Sequence, residues 1–305
     1  MHKNLHICSS NVPESTVTVF HYNMDGADRE KAFAQSCPER REEPLKKMLD
    51  AYIETAKLYC LVEVTGERQR KWVTEFFNDR GFQVIFGMRN ASPGCTANVI
   101  AWKLSDFRME SIENIQLLSE DATIPDDNSH TNGWGANLLL VHLHRIAEGK
   151  TIVPPQRLTV GCTHFPIHPQ SRAMCTERLA TWLDSNKERP YVVTGDLNTF
   201  HDKGGPDQVK KLQQASSNVL GTESVSATTG NKIFGSFLGY EHDAFKFALG
   251  NKLDPLDHII MNSALIHPVG DVKCDTRTML CPEPVELSTR DLPSDHLPLI
   301  AEFTF

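Results

Sequence analysis

No apolar run in this sequence approaches the roughly 20 residues that a membrane-spanning helix needs, so a helical membrane protein is excluded. Residues 1–15 are polar and lack the apolar core of a secretory signal. No signal peptide is therefore expected, and an intracellular setting, cytoplasmic or nuclear, is the expectation. The eight cysteines include no Cys-x-x-Cys pair and no regular spacing, which favours free thiols in a reducing compartment over a disulfide framework. Cys60 and Cys162 fall in strand-like apolar runs, where a thiol acts as a small core residue. Cys274 and Cys281 bracket a short loop and could be bridged. A surplus of basic residues is also missing. At a formal net charge of −8, the chain has no general attraction for nucleic-acid phosphates, and any such binding must come from a local basic lining or a metal. No internal repeat, low-complexity linker or compositional shift marks a boundary. With 40% hydrophobic residues among 305, the chain reads as one domain with a polar extension over residues 1–15.

What is present is an alternation of strand-like and helix-like segments. Thr16 to Tyr22 alternates and is β-rich, and it delivers Asn23-Met24-Asp25-Gly26 at its end. After a charged, Pro-punctuated loop, apolar residues at Leu45, Met48, Leu49, Tyr52, Ile53 and Ala56 recur at helical spacing. Leu58 to Val62 reads as a buried central strand with Glu63 at its end. Glu67 to Arg80 reads as an amphipathic helix stopped by Gly81. Strands are expected over Phe82–Met88, Ala97–Leu104 and Phe107–Leu118. The polar, acidic stretch Ser119–Gly135 has the composition of a surface loop or lid.

Ala136–Leu143 and Arg157–Cys162 read as a hairpin leading into Thr163-His164-Phe165. A helix over Arg172–Leu183 precedes a short strand, Tyr191–Thr194, that empties into Gly195-Asp196-Leu197-Asn198. A helix near Pro206–Gln214 is followed by a Ser/Thr/Gly-rich stretch to Gly230, then by aromatic residues at Phe234, Phe237, Tyr240, Phe245 and Phe247. Those aromatics fit either core packing or a wall that stacks a base. Leu256–Met261 and a terminal strand after Ser294-Asp295-His296 complete the chain.

The polar residues at these strand ends are Asn23, Asp25, Glu63, His164, Asp196, Asn198, Asp257, Asp295 and His296. If the strands end on one side, these residues converge on one crevice, where open sheets place ligands. Carboxylates gathered there repel one another unless a cation sits between them. Oxygen donors such as Asp25, Glu63, Asp295 and Asn198 suit Mg²⁺ or Mn²⁺ better than zinc. Each residue also has a structural reading. Glu63 can cap the following helix, Asn23 and Asn198 can form turns, and His164 can be a core histidine. His258 reads as a flank of Asp257, and His130, His142, His144 and His168 as structural or surface residues.

Taken in order, Asn23-Met24-Asp25-Gly26, Leu61-Val62-Glu63-Val64, Thr163-His164-Phe165, Gly195-Asp196-Leu197-Asn198, Leu256-Asp257-His258-Ile259 and Ser294-Asp295-His296-Leu297-Pro298 resemble the motifs of the endonuclease/exonuclease/phosphatase (DNase I-like) superfamily. The match spans almost the whole chain. It is nearest to exonuclease III-like and tyrosyl-DNA phosphodiesterase members, while His164 to Pro169 has a deadenylase-like flavour. The resemblance implies an α/β fold, a four-layer α-β-β-α sandwich of two mixed sheets. It also implies a Mg²⁺- or Mn²⁺-dependent phosphodiester hydrolase acting on DNA or RNA. Glu63, Asp295 and Asp25 would lie at the metal. Asp196 would orient or deprotonate water, helped by Asn23 and Asn198. His296, held by Asp257, and His164 would contact phosphate oxygens. Val62 stands where many members carry glutamine, and Cys175 stands where a glutamine often follows the arginine that Arg172 matches. An inositol phosphate phosphatase or sphingomyelinase-type activity is the alternative, and a catalytically silent binding protein of the same fold is a third reading.

Overall fold

The computed structural model describes residues 16–24, 38–89, 96–119, 135–146, 156–200, 204–220, 223–226, 232–234, 255–262, 264–274, 294 and 296–305. Its first half runs β1 (Val17–Asn23), α1 (Pro38–Asp50), β2 (Leu58–Thr65), α2 (Gly66–Asn78), β3 (Phe82–Met88), β4 (Thr96–Lys103), β5 (Phe107–Leu118), β6 (Ala136–Arg145) and β7 (Arg157–His164). The second half runs α3 (Pro169–Ser185), β8 (Tyr191–Asp196), α4 (Gly205–Ser216), β9 (Ser217–Leu220), β10 (Glu223–Ser226), β11 (Lys232–Phe234), β12 (Asp257–Asn262), β13 (His267–Pro268), β14 (Lys273–Cys274) and β15 (Leu299–Thr304).

These strands form two mixed sheets. One has nine strands in the order β11-β10-β14-β15-β1-β2-β4-β3, with β13 also on β15, and the other has six in the order β5-β6-β7-β8-β12-β9. The pairs β1/β2 and β7/β8 are parallel, whereas β1/β15 and β8/β12 are antiparallel. Three apolar layers hold the assembly together. Val17, Val19, Trp102, Val141, Val160 and Phe303 pack between the sheets. Phe20, Tyr59, Leu49, Val73 and Phe77 join the nine-stranded sheet to α1 and α2. Leu138, Leu140, Leu179, Leu183 and Tyr191 join the six-stranded sheet to α3 and α4. This is the four-layer α-β-β-α sandwich that the motifs implied. Among the described residues, no helix is long and apolar enough to cross a membrane.

Side-chain parity explains where polar groups gather. Along β1, Val17 and Val19 face the inter-sheet layer while Phe20 and Tyr22 face the helices, so His21 and Asn23 continue the inter-sheet face. On β7, Leu158, Val160 and Cys162 face inward, and His164 follows in step. On β8 and β12, Val192 and Ile259 set the same parity for Thr194, Asp196 and Asp257. Each strand thus fills the core with apolar residues and turns polar on the same face near one end.

Glu63 departs from the sequence expectation. It lies within β2 rather than at its end, because the strand continues to Thr65. The pairing of β2 with β4 shifts register between Leu61 and Val64, and Glu63 adopts φ +58°. Leu58, Cys60 and Val62 face the other sheet, yet Val64 lies on the helix side. One extra residue has reversed the parity, and the bulge aims Glu63 into the inter-sheet crevice.

Two other segments also differ from expectation. Helix α1 starts at Pro38, inside the stretch read as a loop, runs through Pro44 and ends at Asp50, after which residues 51–55 form turns. Burial of Leu45, Met48 and Leu49 offsets the backbone hydrogen bond that Pro44 cannot donate. The Ser/Thr/Gly-rich stretch after α4 contains β9, which pairs with β12, and β10, which pairs with β14. Both were hidden by composition, since pairing to an existing sheet stabilises residues with low strand propensity.

Candidate active site

The strand ends converge as parity requires. Asn23, His164, Asp196, Asn198, Asp257 and His296 are all buried, and Glu63 is partly exposed at the mouth. Asn23 bridges the sheets, with Nδ2 donating to Asp196 Oδ2 at 2.9 Å and to Glu63 Oε1 at 3.3 Å, and lying 3.4 Å from His296 Nε2. The backbone N–H of Asn198 donates to Asp196 Oδ1 at 2.9 Å, so both oxygens of that carboxylate are held. Asn198 has φ +51°, a left-handed conformation that asparagine tolerates better than most residues. That backbone lets its side-chain N–H donate to the Phe165 carbonyl at 2.8 Å while standing 3.2 Å from His164 Nε2.

His296 presents its other nitrogen, Nδ1, to Asp257 Oδ2 at 2.7 Å. With the proton on Nδ1 donated there, Nε2 is left pointing into the crevice, 3.7 Å from Asp196 Oδ2. Ser294 Oγ fixes the approach of this segment. It donates to the Asn23 carbonyl at 2.8 Å and accepts from the His296 N–H at 3.1 Å. His164 Nε2 lies 3.6 Å from both Glu63 Oε1 and Asp196 Oδ2. Asp257 pairs in register with Asp196 across β8 and β12, which sets the two carboxylates side by side.

That crowding has electrostatic consequences. Burial first, then the charges of Asp257 and Glu63, push the Asp196 carboxyl up to about 7, against the opposing effect of His296 and the Asn198 N–H. Burial also acts to raise Asp257, but the His296 and His21 imidazoles outweigh it and hold that carboxyl well below the usual carboxylate range. Burial, with help from the charges of Arg89 and His296, keeps the His164 imidazole well below its ordinary value and therefore uncharged near neutrality.

Glu63, His164 and Asp196 offer ligand atoms within 4.8 Å of one another, as do Asp196, Asp257 and His296. The donor chemistry fits a hard cation, since carboxylate oxygens from Glu63 and Asp196 supply two of the three donors in the first group. Of the residues expected at a metal, Asp25 and Asp295 lie outside the described residues, as do the acidic stretch 120–134, Cys281 and the aromatic residues Phe237, Tyr240, Phe245 and Phe247.

Sequence reading missed several residues that shape this site. His21 donates from Nε2 to Asp257 Oδ1 at 3.0 Å, and its Nδ1 accepts from Thr194 Oγ1 at 3.0 Å. The signal was available, since counting by twos from Val17 and Val19 reaches His21 and then Asn23. Arg89 is buried and donates from Nη2 to the His164 carbonyl at 2.6 Å. No local pattern marks it, because the contact spans two sheets. His258, adjacent to Asp257, turns to the other face and bonds Thr199 Oγ1 at 2.7 Å. His142 and His144 are taken up by Glu113 and Glu110, each at 3.0 Å.

No family model matches the sequence, and no curated protein matches it either. Solved structures do share its fold. An endonuclease/exonuclease/phosphatase from Bacteroides vulgatus superposes with a TM-score of 0.66 at 14% identity, covering 96% of this chain and 100% of that one. The catalytic domain of human Nocturnin with a bound sulfate anion gives 0.62 at 17% identity, covering 95% of each chain. D. rerio TDP2 complexed with single-strand DNA product gives 0.61 at 14% identity, covering 96% and 100%.

Proposed function

We propose, starting from the endonuclease/exonuclease/phosphatase fold that this chain shares with those structures, that it is a divalent-cation-dependent phosphoester hydrolase acting on nucleic acid, DNA or RNA. One observation carries the reading. Asp196, held through both oxygens, lies 3.7 Å from Nε2 of a histidine that is itself held by Asp257, with Glu63 aimed at the same space by its bulge. Hydrolysis of a phosphoester needs an oriented nucleophile on one side of phosphorus and relief of charge on the phosphoryl oxygens. The tetrahedral anion in Nocturnin and the DNA product in TDP2 belong to those proteins, and they favour a phosphate-bearing ligand here.

Asn23 and the Asn198 N–H orient Asp196 to take a proton from an attacking water, and a carboxyl raised to about 7 has the basicity for that step near neutral pH. Protonated on both nitrogens, His296 donates from Nε2 to a phosphoryl oxygen, while Asp257 accepts from Nδ1 and supports the positive charge on the ring. Uncharged His164, anchored by Asn198, contacts a second phosphoryl oxygen. Glu63 would hold Mg²⁺ or Mn²⁺, and Asp25 and Asp295, outside the described residues, are the further ligands that the motif resemblance implies. When bound, the cation supplies Lewis-acid stabilisation of the phosphoryl oxygens and removes the repulsion among the carboxylates.

The test is a substrate panel with Mg²⁺ or Mn²⁺: DNA and RNA oligonucleotides, tyrosyl-linked ends, inositol phosphates and sphingomyelin. Cation-dependent cleavage of an oligonucleotide, abolished by Asp196→Asn and by His296→Ala in folded protein, is the expected result. Cleavage of the lipid or inositol substrates alone would overturn the nucleic-acid assignment. Turnover that survives either substitution would overturn the mechanism.

A further inference from the structure

Asp257 is unusual among the site carboxylates in serving two imidazoles, one on each oxygen. Oδ2 meets His296 Nδ1 at 2.7 Å and Oδ1 meets His21 Nε2 at 3.0 Å. A carboxylate held through one oxygen keeps rotational freedom about its Cβ–Cγ bond, a soft torsion with a broad minimum. Donors on both oxygens remove that freedom and fix the direction in which Oδ2 meets its partner. His21 is fixed in turn. It is completely buried on the inter-sheet face of β1, and Thr194 Oγ1 donates to its Nδ1 at 3.0 Å. The ring therefore joins β1 of the nine-stranded sheet to β8 and β12 of the six-stranded sheet, directly beneath the crevice.

Position along the strand strengthens the case. His21 lies two residues before Asn23 on the same face, and Asn23 reaches Asp196 on the other sheet while also bonding Glu63 on its own. Two successive inward residues of β1 thus tie one sheet's half of the site to the other. A buried histidine in an otherwise apolar layer is costly unless both nitrogens are satisfied. Here both are, and both partners belong to strands that carry reacting groups.

We propose that His21 is a positioning residue for the hydrolysis, completing a Thr194–His21–Asp257–His296 relay that sets the orientation of His296 toward the scissile phosphoester. The inference rests on the hydrolase reading for its kinetic consequence, but the geometry it asserts can be read without turnover. Partners that orient a reacting group from behind typically contribute about 10- to 100-fold in activity.

The test uses the full chain with Mg²⁺ and compares His21→Leu, His21→Gln and Thr194→Val. His21→Leu should lower kcat about 10- to 100-fold with KM little changed. His21→Gln, which retains an N–H near the position of Nε2, should recover most of it. Independently of any substrate, the proton on His296 Nδ1 should give a protected downfield imidazole resonance. That resonance should be absent in His296→Ala, exchange-broadened in His21→Leu and retained in His21→Gln. Should His21→Leu misfold, Thr194→Val provides the weaker perturbation, with an intermediate loss and partial broadening expected. Full kcat or an unchanged resonance in His21→Leu would overturn the proposal. Absence of turnover in the unsubstituted protein would instead count against the hydrolase reading and leave the resonance to decide the relay.

Discussion

Replacing Asp196 with asparagine should make the cation-free protein more stable while destroying its activity. In the folded chain the carboxyl is raised to about 7 from an ordinary 3.8, chiefly by burial and then by Asp257. Between those values the folded state binds the proton and the unfolded state does not. Stability from this group is therefore present below pH 3.8 and is lost as pH rises through 7. At pH 8 the charged carboxylate costs about 4 kcal/mol, from about 1.4 kcal/mol for each unit. Asparagine removes that cost but disturbs the bond from Asn23 Nδ2 to Oδ2, worth about 1–2 kcal/mol. The net gain is about 2–3 kcal/mol at pH 8 and close to zero at pH 5, where keeping the buried carboxyl protonated costs only about 1–2 kcal/mol. Thermal unfolding in EDTA should show Tm higher by roughly 5 °C for the variant at pH 8, with the difference vanishing at pH 5. Added Mg²⁺ should raise the Tm of the native sequence and narrow the gap, because binding to the folded state alone is stabilising. A variant less stable than its parent at pH 8 in EDTA, or a gap independent of pH, would refute the claim that burial beside Asp257 makes a charged Asp196 costly.

Glu63→Gln keeps the shape of the bulged residue and removes its charge, so Mg²⁺ titrations followed by Tm should show cation affinity weakened about 100-fold or more, with hydrolysis falling in parallel. Gly195→Ala would place a Cβ 2.3 Å from the Thr163 carbonyl oxygen, at the parallel pairing of β7 and β8. Urea denaturation should show a loss of about 3 kcal/mol, and the displaced Asp196 should lose activity beyond that. Burial lowers the His258 imidazole from 6.5 to about 4, so the unfolded chain takes up its proton first as pH falls. Its contribution is therefore present above pH 6.5 and declines to pH 4, by about 3 kcal/mol in all. Chemical denaturation of His258→Gln over that interval should show a correspondingly shallower pH dependence.

The parts of this molecule legible in its sequence are those governed by short periods. Alternation along Val17 to Asn23 and Leu158 to His164, and the short apolar run at Tyr191 to Val193, identify strands, and the polar residue that ends each inward-facing series lands in the crevice. What stayed hidden depends on distance across the fold. The bulge at Glu63 becomes visible only when β4 lies beside β2 and the register of Leu61 and Val64 can be compared. Read as a regular strand, Leu58 to Val64 would send Glu63 to the helix side with Tyr59 and Leu61, and the crevice would lose its outermost carboxylate. The motif therefore singles out Glu63, while the reason its side chain reaches the crevice lies in a backbone irregularity that no tetrapeptide encodes. The same holds for His21, whose partners on β8 and β12 are 173 and 236 residues away in sequence. Neither contact could be inferred from its neighbours on β1, yet parity alone restricts its ring to the layer where Asp257 lies. In a sandwich of this kind, the inward face of each strand is a stronger guide to the site than proximity to a motif, because the two sheets leave a single shared layer in which their polar ends can meet.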